Sequence, residues 1–284
     1  MDDMFAKVME FVLSRTMRNY LSQLHSEGKL TLSGEDMVSI VYHSPRSFKE
    51  RFELIPQLAE LVEDKEAHRQ LCKAAELLLS DFSEKGLYLL AREEIYDEDD
   101  EDNYEPIAVK ETEFNSFEEA AAYAAASESG YLCCRLCCGN EEVVREVGIS
   151  DNDISYLRTT PCDEDCVCLE PNAADRMMNR YVYLPNPFKA GDVVCMSDAP
   201  EERYIIIVAT PDDPDKIPLR LDYIDTSVMV VPAEFKQYTD PEVIRLRYER
   251  LFEARRNGED FPLDDIAIHH EHIPVLLLEF AEKN

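Results

Sequence analysis

The chain has 284 residues, of which 45% are hydrophobic and 31% charged, so it is neither a disordered chain nor a small disulfide-stapled scaffold. It carries 29 basic and 60 acidic residues, which give a formal net charge of −31. Proteins hold nucleic acids by neutralising phosphates with Lys and Arg, so this balance argues against general nucleic-acid binding. The length allows one large domain or two ordinary ones.

The first ten residues contain two aspartates and no basic run ahead of an apolar stretch, which is unlike a secretory signal or a transit peptide. Apolar runs such as Tyr204 to Ala209 are far shorter than the roughly 20 residues that cross a bilayer, so we expect no membrane span. Nine cysteines without an export signal indicate reduced thiols or metal ligands. These features together predict a cytoplasmic location.

The N-terminal part of the chain has the pattern of helices. Apolar residues recur at steps of three and four from Asp3 to Ser26, which predicts one long amphipathic helix that stops before Gly28. A capping-box pair, Ser33 and Asp36, begins the next helix. Further helices are predicted to start at Ser44-Pro45 and at Glu63. We therefore expect a compact helical domain over residues 1–85.

Acidic residues are concentrated in the middle of the chain. Residues 96–170 hold 4 basic and 21 acidic residues. The extreme is the segment YDEDDEDNYE at residues 96–105, called the acidic run below. Its composition is typical of a solvated loop. The alternative is an acidic docking patch for a partner protein, formed by Asp97, Glu98, Asp99, Asp100, Glu101 and Asp102.

After Gly86 the pattern changes to short strands with interspersed helices. A capping-box helix is predicted over residues 117–127, and a second helix from Asp240-Pro241 to Gly258. Strands are predicted over residues 87–90, 131–138, 143–147, 181–184, 192–196, 204–209 and 227–231. The expected fold is α+β, with a helical domain followed by a mixed domain, residues 86–284, that contains a small antiparallel sheet or partial barrel. A further division near residues 170–180 is left open.

The cysteines form two clusters. Cys134 and Cys137 have C-x-x-C spacing, and Cys162 and Cys166 follow after 24 intervening residues. Four thiolates from two such clusters could bind zinc tetrahedrally. However, the second cluster lacks clean C-x-x-C spacing, and the first lies in apolar, strand-like sequence where buried thiols pack well. Zinc is the one cofactor that the sequence suggests, and the packing role is favoured over it.

Three histidines near the end of the chain form another candidate metal site. In a strand, His270 and His272 would face the same way and could share a metal with a carboxylate such as Asp264. The spacing from His269 to His272 does not match the helical H-E-x-x-H motif, and Pro274 suggests a turn. We therefore favour a surface or packing role for these histidines.

The segment Pro187-Phe188-Lys189-Ala190-Gly191-Asp192-Val193-Val194 is followed by the apolar strand Tyr204 to Val208. A G-D-x-V strand next to an apolar strand resembles the opening of small-barrel endoribonuclease toxins. That resemblance covers about thirty residues, and residues 171–284 have 13 basic and 22 acidic groups, so no basic groove for RNA is supplied and no catalytic residue is carried over. Together with the helical N-terminus and the Ser-Phe-Glu-Glu helix start, the segment is also similar to bacterial proteins that have no assigned activity.

Two functional hypotheses follow from these features. The first, which we favour, is a protein-interaction module, an adaptor or inhibitor whose acidic surface engages a basic partner. The second is a zinc-binding or metal-dependent hydrolytic protein built on the cysteine or histidine cluster. No phosphate-binding loop, dinucleotide fingerprint or nucleophile elbow occurs in the sequence.

Overall fold

A computed structural model describes residues 2–95, 108–151, 153–159, 171–180, 182–208, 216–218, 227–234 and 271–281, and eight positions within 243–258. The described residues form an α+β fold with eight α-helices and two five-stranded antiparallel sheets, which confirms the predicted fold class. No helix in these ranges combines the length and the apolar character that a membrane span requires.

The elements are numbered in chain order. The helices are α1 Asp2–Val12, α2 Arg15–Ser26, α3 Gly34–Tyr42, α4 Phe48–Ala59, α5 Lys65–Leu79, α6 Phe82–Lys85, α7 Phe117–Ala126 and α8 Ala173–Met178. The strands are β1 Leu87–Ile95, β2 Ala108–Phe114, β3 Tyr131–Cys138, β4 Glu141–Ser150, β5 Asp153–Arg158, β6 Tyr183–Pro185, β7 Val193–Met196, β8 Arg203–Val208, β9 Lys216–Pro218, β10 Ser227–Pro232, β11 Glu271–Pro274 and β12 Leu278–Phe280.

The chain forms two compact units, and they divide it differently from the predicted domains 1–85 and 86–284. Unit 1 combines residues 1–45 with residues 181–284, and unit 2 consists of residues 46–180. The difference arises because the helices before residue 86 are shared between the units. Helices α1 to α3 belong to unit 1, whereas α4 to α6 belong to unit 2 together with β1.

In unit 1 the predicted long helix is two helices, α1 and α2, separated at Leu13 and Ser14. The Ser14 hydroxyl caps α2 by accepting a hydrogen bond from Met17 N at 3.3 Å, and the Ser14 N–H donates to the carbonyl of Leu276 at 2.9 Å. An N-cap residue is not helical, so this serine ends the first helix. The capping box predicted at Ser33 is present in α3.

The N-terminal helices of unit 1 are joined to its last strand. The Arg15 guanidinium forms an ion pair with the Glu279 carboxylate at 3.0 Å, and the backbone N–H of Phe280 donates to the Thr16 hydroxyl at 3.2 Å. These contacts connect α2 to β12 across 264 positions of sequence.

The sheet of unit 1 has the strand order β11-β10-β8-β7-β12, and each neighbouring pair is antiparallel. The segment that resembled the toxin barrels supplies β7, which pairs with β8 as expected. Gly191 has φ +91°, a conformation that glycine adopts without strain, and its N–H donates to the carbonyl of Ile206. Among the described strands the sheet is open, with β11 and β12 at its edges. Most of the helix predicted from Asp240 to Gly258 lies outside the described residues.

Unit 2 contains the other sheet, called the first sheet, with the strand order β2-β1-β3-β4-β5. All of its neighbouring strands are antiparallel. One face, called the inner face, packs against α7 and is lined by buried side chains such as Leu89, Leu136 and Val147. The strands predicted within β1, β3 and β4 are confirmed, whereas β2 and β5 were not predicted.

The helices of unit 2 begin at residues that differ slightly from the prediction. Helix α4 starts after Ser47, three residues beyond the expected Ser44-Pro45, because Ser47 and Glu50 form a complete capping box. The helix predicted from Glu63 to Phe82 is α5, which begins at Lys65 and ends at Leu79, and Asp81 caps the short helix α6 that follows it. Helix α7 begins after Ser116, as the Ser-Phe-Glu-Glu pattern predicted.

Candidate interaction surface on the first sheet

The acidic run lies in sequence between two strands that pair with each other. β1 and β2 are antiparallel, with Leu89 opposite Phe114 at one end and Ile95 opposite Ala108 at the other. The run and the proposed docking residues 97–102 are outside the described residues. The chain enters the run from β1 and leaves it into β2, at one edge of the first sheet.

Helix α7 holds the β1–β2 pair on its inner face. The Lys110 ammonium donates a hydrogen bond to the Tyr123 hydroxyl at 2.6 Å, and that hydroxyl donates to the Glu93 carboxylate at 2.8 Å. Lys110 and Glu93 also form an ion pair at 3.4 Å. The hydrogen bonds to Tyr123 and Glu93 raise the pKa of Lys110. Lys110 is the only basic residue of β2, and its positive charge is paired with the Glu93 carboxylate of β1.

The outer face of β2 is acidic and exposed. Glu111 and Glu113 are both exposed and share this face with Val109, because side chains two apart along a strand point the same way. Val109 is 43% exposed on this face, and Ile95, which lies opposite Ala108 and has the parity of the inner face, is 45% exposed. The end of the β1–β2 pair that adjoins the acidic run therefore presents both negative charge and apolar surface.

A shallow cavity of about 230 Å³ lies on the outer face of the same sheet. It is lined by Leu90, Arg92, Glu94, Cys133, Cys134, Arg135, Arg145 and Glu146. Two of its arginines, Arg135 and Arg145, form ion pairs with Glu142 at 3.5 and 3.7 Å. Because these charges are balanced within the sheet, the cavity gives no clear preference for a charged ligand.

The C-x-x-C thiols lie on opposite faces of β3. Cys134 is opposite Ala91 and Cys137 is opposite Tyr88, and these two residues of β1 are three apart in one strand. Both thiols are buried. Burial raises the pKa of Cys134 to about 12, and it also raises the pKa of Cys137. The raised pKa favours the protonated thiol at both positions, whereas zinc binds the thiolate.

The remaining proposed zinc ligands, Cys162 and Cys166, lie outside the described residues. Within the part of the chain that the structure describes, no group of three or more His, Cys, Asp or Glu side chains is arranged to hold a metal ion. The four-cysteine site therefore stays a prediction, and Cys134 and Cys137 would have to move to reach one ion.

The histidine cluster is only partly described. Glu271 and His272 lie in β11, where both are exposed, so this part of the cluster is strand and not the turn that Pro274 suggested. His269, His270 and Asp264 lie outside the described residues. The possibility of a shared metal between His270 and His272 is therefore untested.

A larger cavity, of about 340 Å³, lies beside α5 in unit 2. Its most prominent polar groups have partners within the protein. Arg69 pairs with Glu66 at 2.7 Å, and the Gln70 carbonyl oxygen accepts a hydrogen bond from Ala174 N at 3.0 Å. The Arg69–Glu66 pair lies within α5, and the Gln70–Ala174 bond ties α5 to α8, so we interpret the cavity as a gap between packed elements.

The sequence reasoning identified the acidic run but missed the strand that follows it. The signal in β2 is weak because only Phe114 of the strand is buried. A charged and an uncharged residue alternate only from Glu111 to Phe114, and this short alternation was the available indication of a strand. Comparisons of the chain with protein-family models, with curated proteins and with solved structures find no match.

Proposed function

We propose that the protein is an interaction module, an adaptor or inhibitor that binds a basic partner protein through the acidic run and the adjoining β1–β2 pair. The observation that carries this proposal is the position of the run between two paired strands at a sheet edge. Residues 96–107 contain seven acidic and no basic residues. These residues follow Ile95 and precede Val109 closely in sequence, and both of those apolar side chains are exposed.

The chemistry of this surface suits a partner with clustered Lys or Arg. Complementary charge steers diffusional encounter and accelerates association, while exposed apolar side chains supply contact area. A partner whose basic groove normally holds nucleic acid would fit, and the module would then act as an inhibitor by occupying that groove. We place this activity in the cytoplasm, in keeping with the reduced cysteines that the sequence indicates.

The test is a titration of purified basic partners, first identified by capture from cell extract, at low and high salt. The decisive variant replaces the six docking residues, Asp97, Glu98, Asp99, Asp100, Glu101 and Asp102, with their amides. A matched control neutralises six exposed acids elsewhere in unit 2: Glu53, Glu60, Glu84, Glu118, Glu128 and Glu141. Both variants change the net charge equally, so only local binding separates them.

We expect the docking variant to weaken binding by at least about tenfold at 0.1 M salt, and the control variant to weaken it far less, because charges beyond about 10 Å are screened at that salt concentration. Binding of the parent should fall steeply as salt rises. Failure to recover any basic partner, or binding that is insensitive to salt and equal in both variants, would contradict the proposal.

The alternative function, a zinc-binding or metal-dependent hydrolytic protein, has less support. It relies on Cys134, Cys137, Cys162 and Cys166, and the first two thiols face away from each other across β3. Metal analysis of protein purified without chelator tests it. We expect well under one zinc per chain, and a stoichiometric zinc that is lost on replacing Cys162 and Cys166 with serine would replace our proposal.

A further inference from the structure

We propose that the basic partner docks as an extended segment that adds a sixth strand to the first sheet, along the free edge of β2. This inference rests on the proposed function and specifies how the partner binds. The partner's segment is a strand in which an apolar residue is followed by Lys or Arg at every second position, so that these side chains share one face.

The open edge of β2 is the first support. β2 is the last strand in the sheet order, and among the described residues β1 is the one strand that pairs with it. An edge strand leaves a row of unpaired backbone N–H and C=O groups along its other side. Extended peptides bind such edges by completing the hydrogen-bond ladder, while side-chain contacts at alternate positions give specificity.

Charge complementarity is the second support, and it selects the occupant. Glu111 and Glu113 are exposed on the outer face of β2, where Arg92 of β1 lies opposite Glu111 but the apolar Leu90 lies opposite Glu113. Lys110 is already bound to Glu93 and Tyr123 on the inner face. An added strand places its side chains directly beside these carboxylates, where opposite charges stabilise the pairing and like charges oppose it.

A second copy of the chain is a poorer occupant for the same reason. Two β2 strands side by side would bring Glu111 and Glu113 of one copy against the same residues of the other, together with two acidic runs. A basic segment meets the opposite situation. Its apolar residue would lie beside Val109, which is 43% exposed, and its Lys or Arg residues beside Glu111 and Glu113.

The experiment compares two synthetic peptides of the same sequence, each of eight residues, in which one Val is followed by Lys at every second position and Thr fills the positions between. One has a normal backbone. In the other every backbone amide nitrogen is methylated, so that it cannot donate the hydrogen bonds of a ladder. The proteins are the parent, E111Q/E113Q, the docking variant of residues 97–102, and a control, E118Q/E128Q, which removes two exposed acids from outside β2. Binding is measured by calorimetry, and protection of β2 amides by hydrogen exchange.

We expect the parent to bind the normal peptide at least about tenfold more tightly than the methylated one, with slower exchange of β2 amides. E111Q/E113Q should weaken the normal peptide by roughly two- to thirtyfold, the range for two cross-strand charge pairs, while E118Q/E128Q stays near the parent.

If both peptides bind equally well, and if this binding is lost in the docking variant but not in E111Q/E113Q, strand addition is overturned. The proposal of an acidic interaction module would then still stand. If neither peptide binds and a captured basic partner also fails to bind, both proposals are overturned. Charged residues can also protect a sheet edge against aggregation. If E111Q/E113Q self-associates but binds both peptides like the parent, the two glutamates serve that protective role and strand addition is overturned.

Discussion

The two edge strands of the first sheet, β2 and β5, have the same kind of backbone edge but different surroundings. In β5 the side chains of Ile154 and Leu157 are buried, and the Arg51 side chain from α4 reaches the strand. Its guanidinium donates to both oxygens of Asp153 at 2.5 and 2.6 Å and to the carbonyl of Ile154 at 2.8 Å. In β2 every side chain before Phe114 is exposed or half-buried.

This difference shows that an edge strand is defined by its side-chain partners as much as by its backbone. β5 contributes to the core of unit 2, because a buried arginine from another element satisfies its carboxylate and one of its carbonyls. β2 contributes little to that core and keeps its acidic side chains in solvent. We therefore expect changes in β5 to affect folding and changes in β2 to affect binding.

Replacing Asp153 with alanine should have the largest effect on stability. The Arg51 side chain is 5% exposed, so its charge would lose its carboxylate partner in a buried place. Breaking a buried pair costs about 3–5 kcal/mol, and because Asp153 is itself 37% exposed we expect about 2 kcal/mol. Urea-induced unfolding measures the loss.

The matched control for this change is Glu113→Ala on β2, a change of exposed acid to alanine in the opposite edge strand. It should alter the free energy of unfolding by less than about 0.5 kcal/mol, as surface substitutions usually do. Equal losses in the two variants would remove the contrast between the edges.

Alkaline pH should weaken the centre of the sheet between the two edges. Burial raises the pKa of Cys134 from 9.0 to about 12, so above pH 9 the unfolded chain loses the thiol proton and the folded protein keeps it. Unfolding then releases a proton, and stability falls as pH rises from about 9 towards 12. This group alone should cost about 1 kcal/mol at pH 10.

Unfolding by urea at pH 8, 9 and 10 tests this expectation. Cys134→Ala should reduce the slope of stability against pH, whatever its own cost at pH 8. A slope that is the same in the parent and in Cys134→Ala would show that the thiol is not responsible.

Gly148 in β4 tests packing on the outer face, next to β5. A Cβ atom at this position would lie 2.5 Å from the Tyr131 hydroxyl oxygen and 3.0 Å from the Ser155 Oγ. Gly148→Ala should therefore displace the Tyr131 ring and cost about 1 kcal/mol, at the low end of overpacking because the end of this side chain can move into solvent.

The background Tyr131→Ala provides the check. In that background, introducing Gly148→Ala should cost less than it does in the parent, since the Tyr131 hydroxyl oxygen, the atom nearest to the new Cβ, is gone. An unchanged cost, measured by the same urea titration, would place the conflict elsewhere in the strand.

A small effect on stability is also expected for the acidic run. Replacing residues 96–105 with a neutral segment of the same length relieves repulsion between like charges and leaves the pairing of β1 with β2 in place. The melting temperature should stay within a few degrees of the parent, on the scale of about 1 kcal/mol. A large loss in thermal unfolding would show that the run is packed and that its charge has a structural role.

Signals that act over a few residues predicted the local structure well. The capping serines Ser33 and Ser116 and the apolar alternation in β3 each depend on neighbours within one turn or one strand. The break at Ser14 could not be predicted in this way, because the serine is fixed by the carbonyl of Leu276, far away in sequence. The division into two units depends on the same kind of distant contact.

The candidate site shows a similar limit. The charge of the acidic run is a property of composition, whereas its position at a sheet edge depends on the pairing of β1 with β2. The cysteines differ, because the sequence already predicted a strand over residues 131–138. The two-residue period of that strand places Cys134 and Cys137 on opposite faces, and this argument against their sharing one zinc ion was available without a structure.

The composition of unit 1 from two separated segments has a consequence for synthesis of the protein. Residues 46–180 form a contiguous unit, which can fold as soon as it leaves the ribosome, whereas α1 to α3 lack the strands that complete unit 1. Translation of the next 100 residues, up to the end of β12, takes roughly 5 to 20 s. During that time the buried apolar side chains of the three helices, including Val8, Met17 and Met37, have no sheet to complete their unit. The nascent chain therefore exposes these apolar side chains until β12 is made, and slower translation of the second half of the message would extend that exposure.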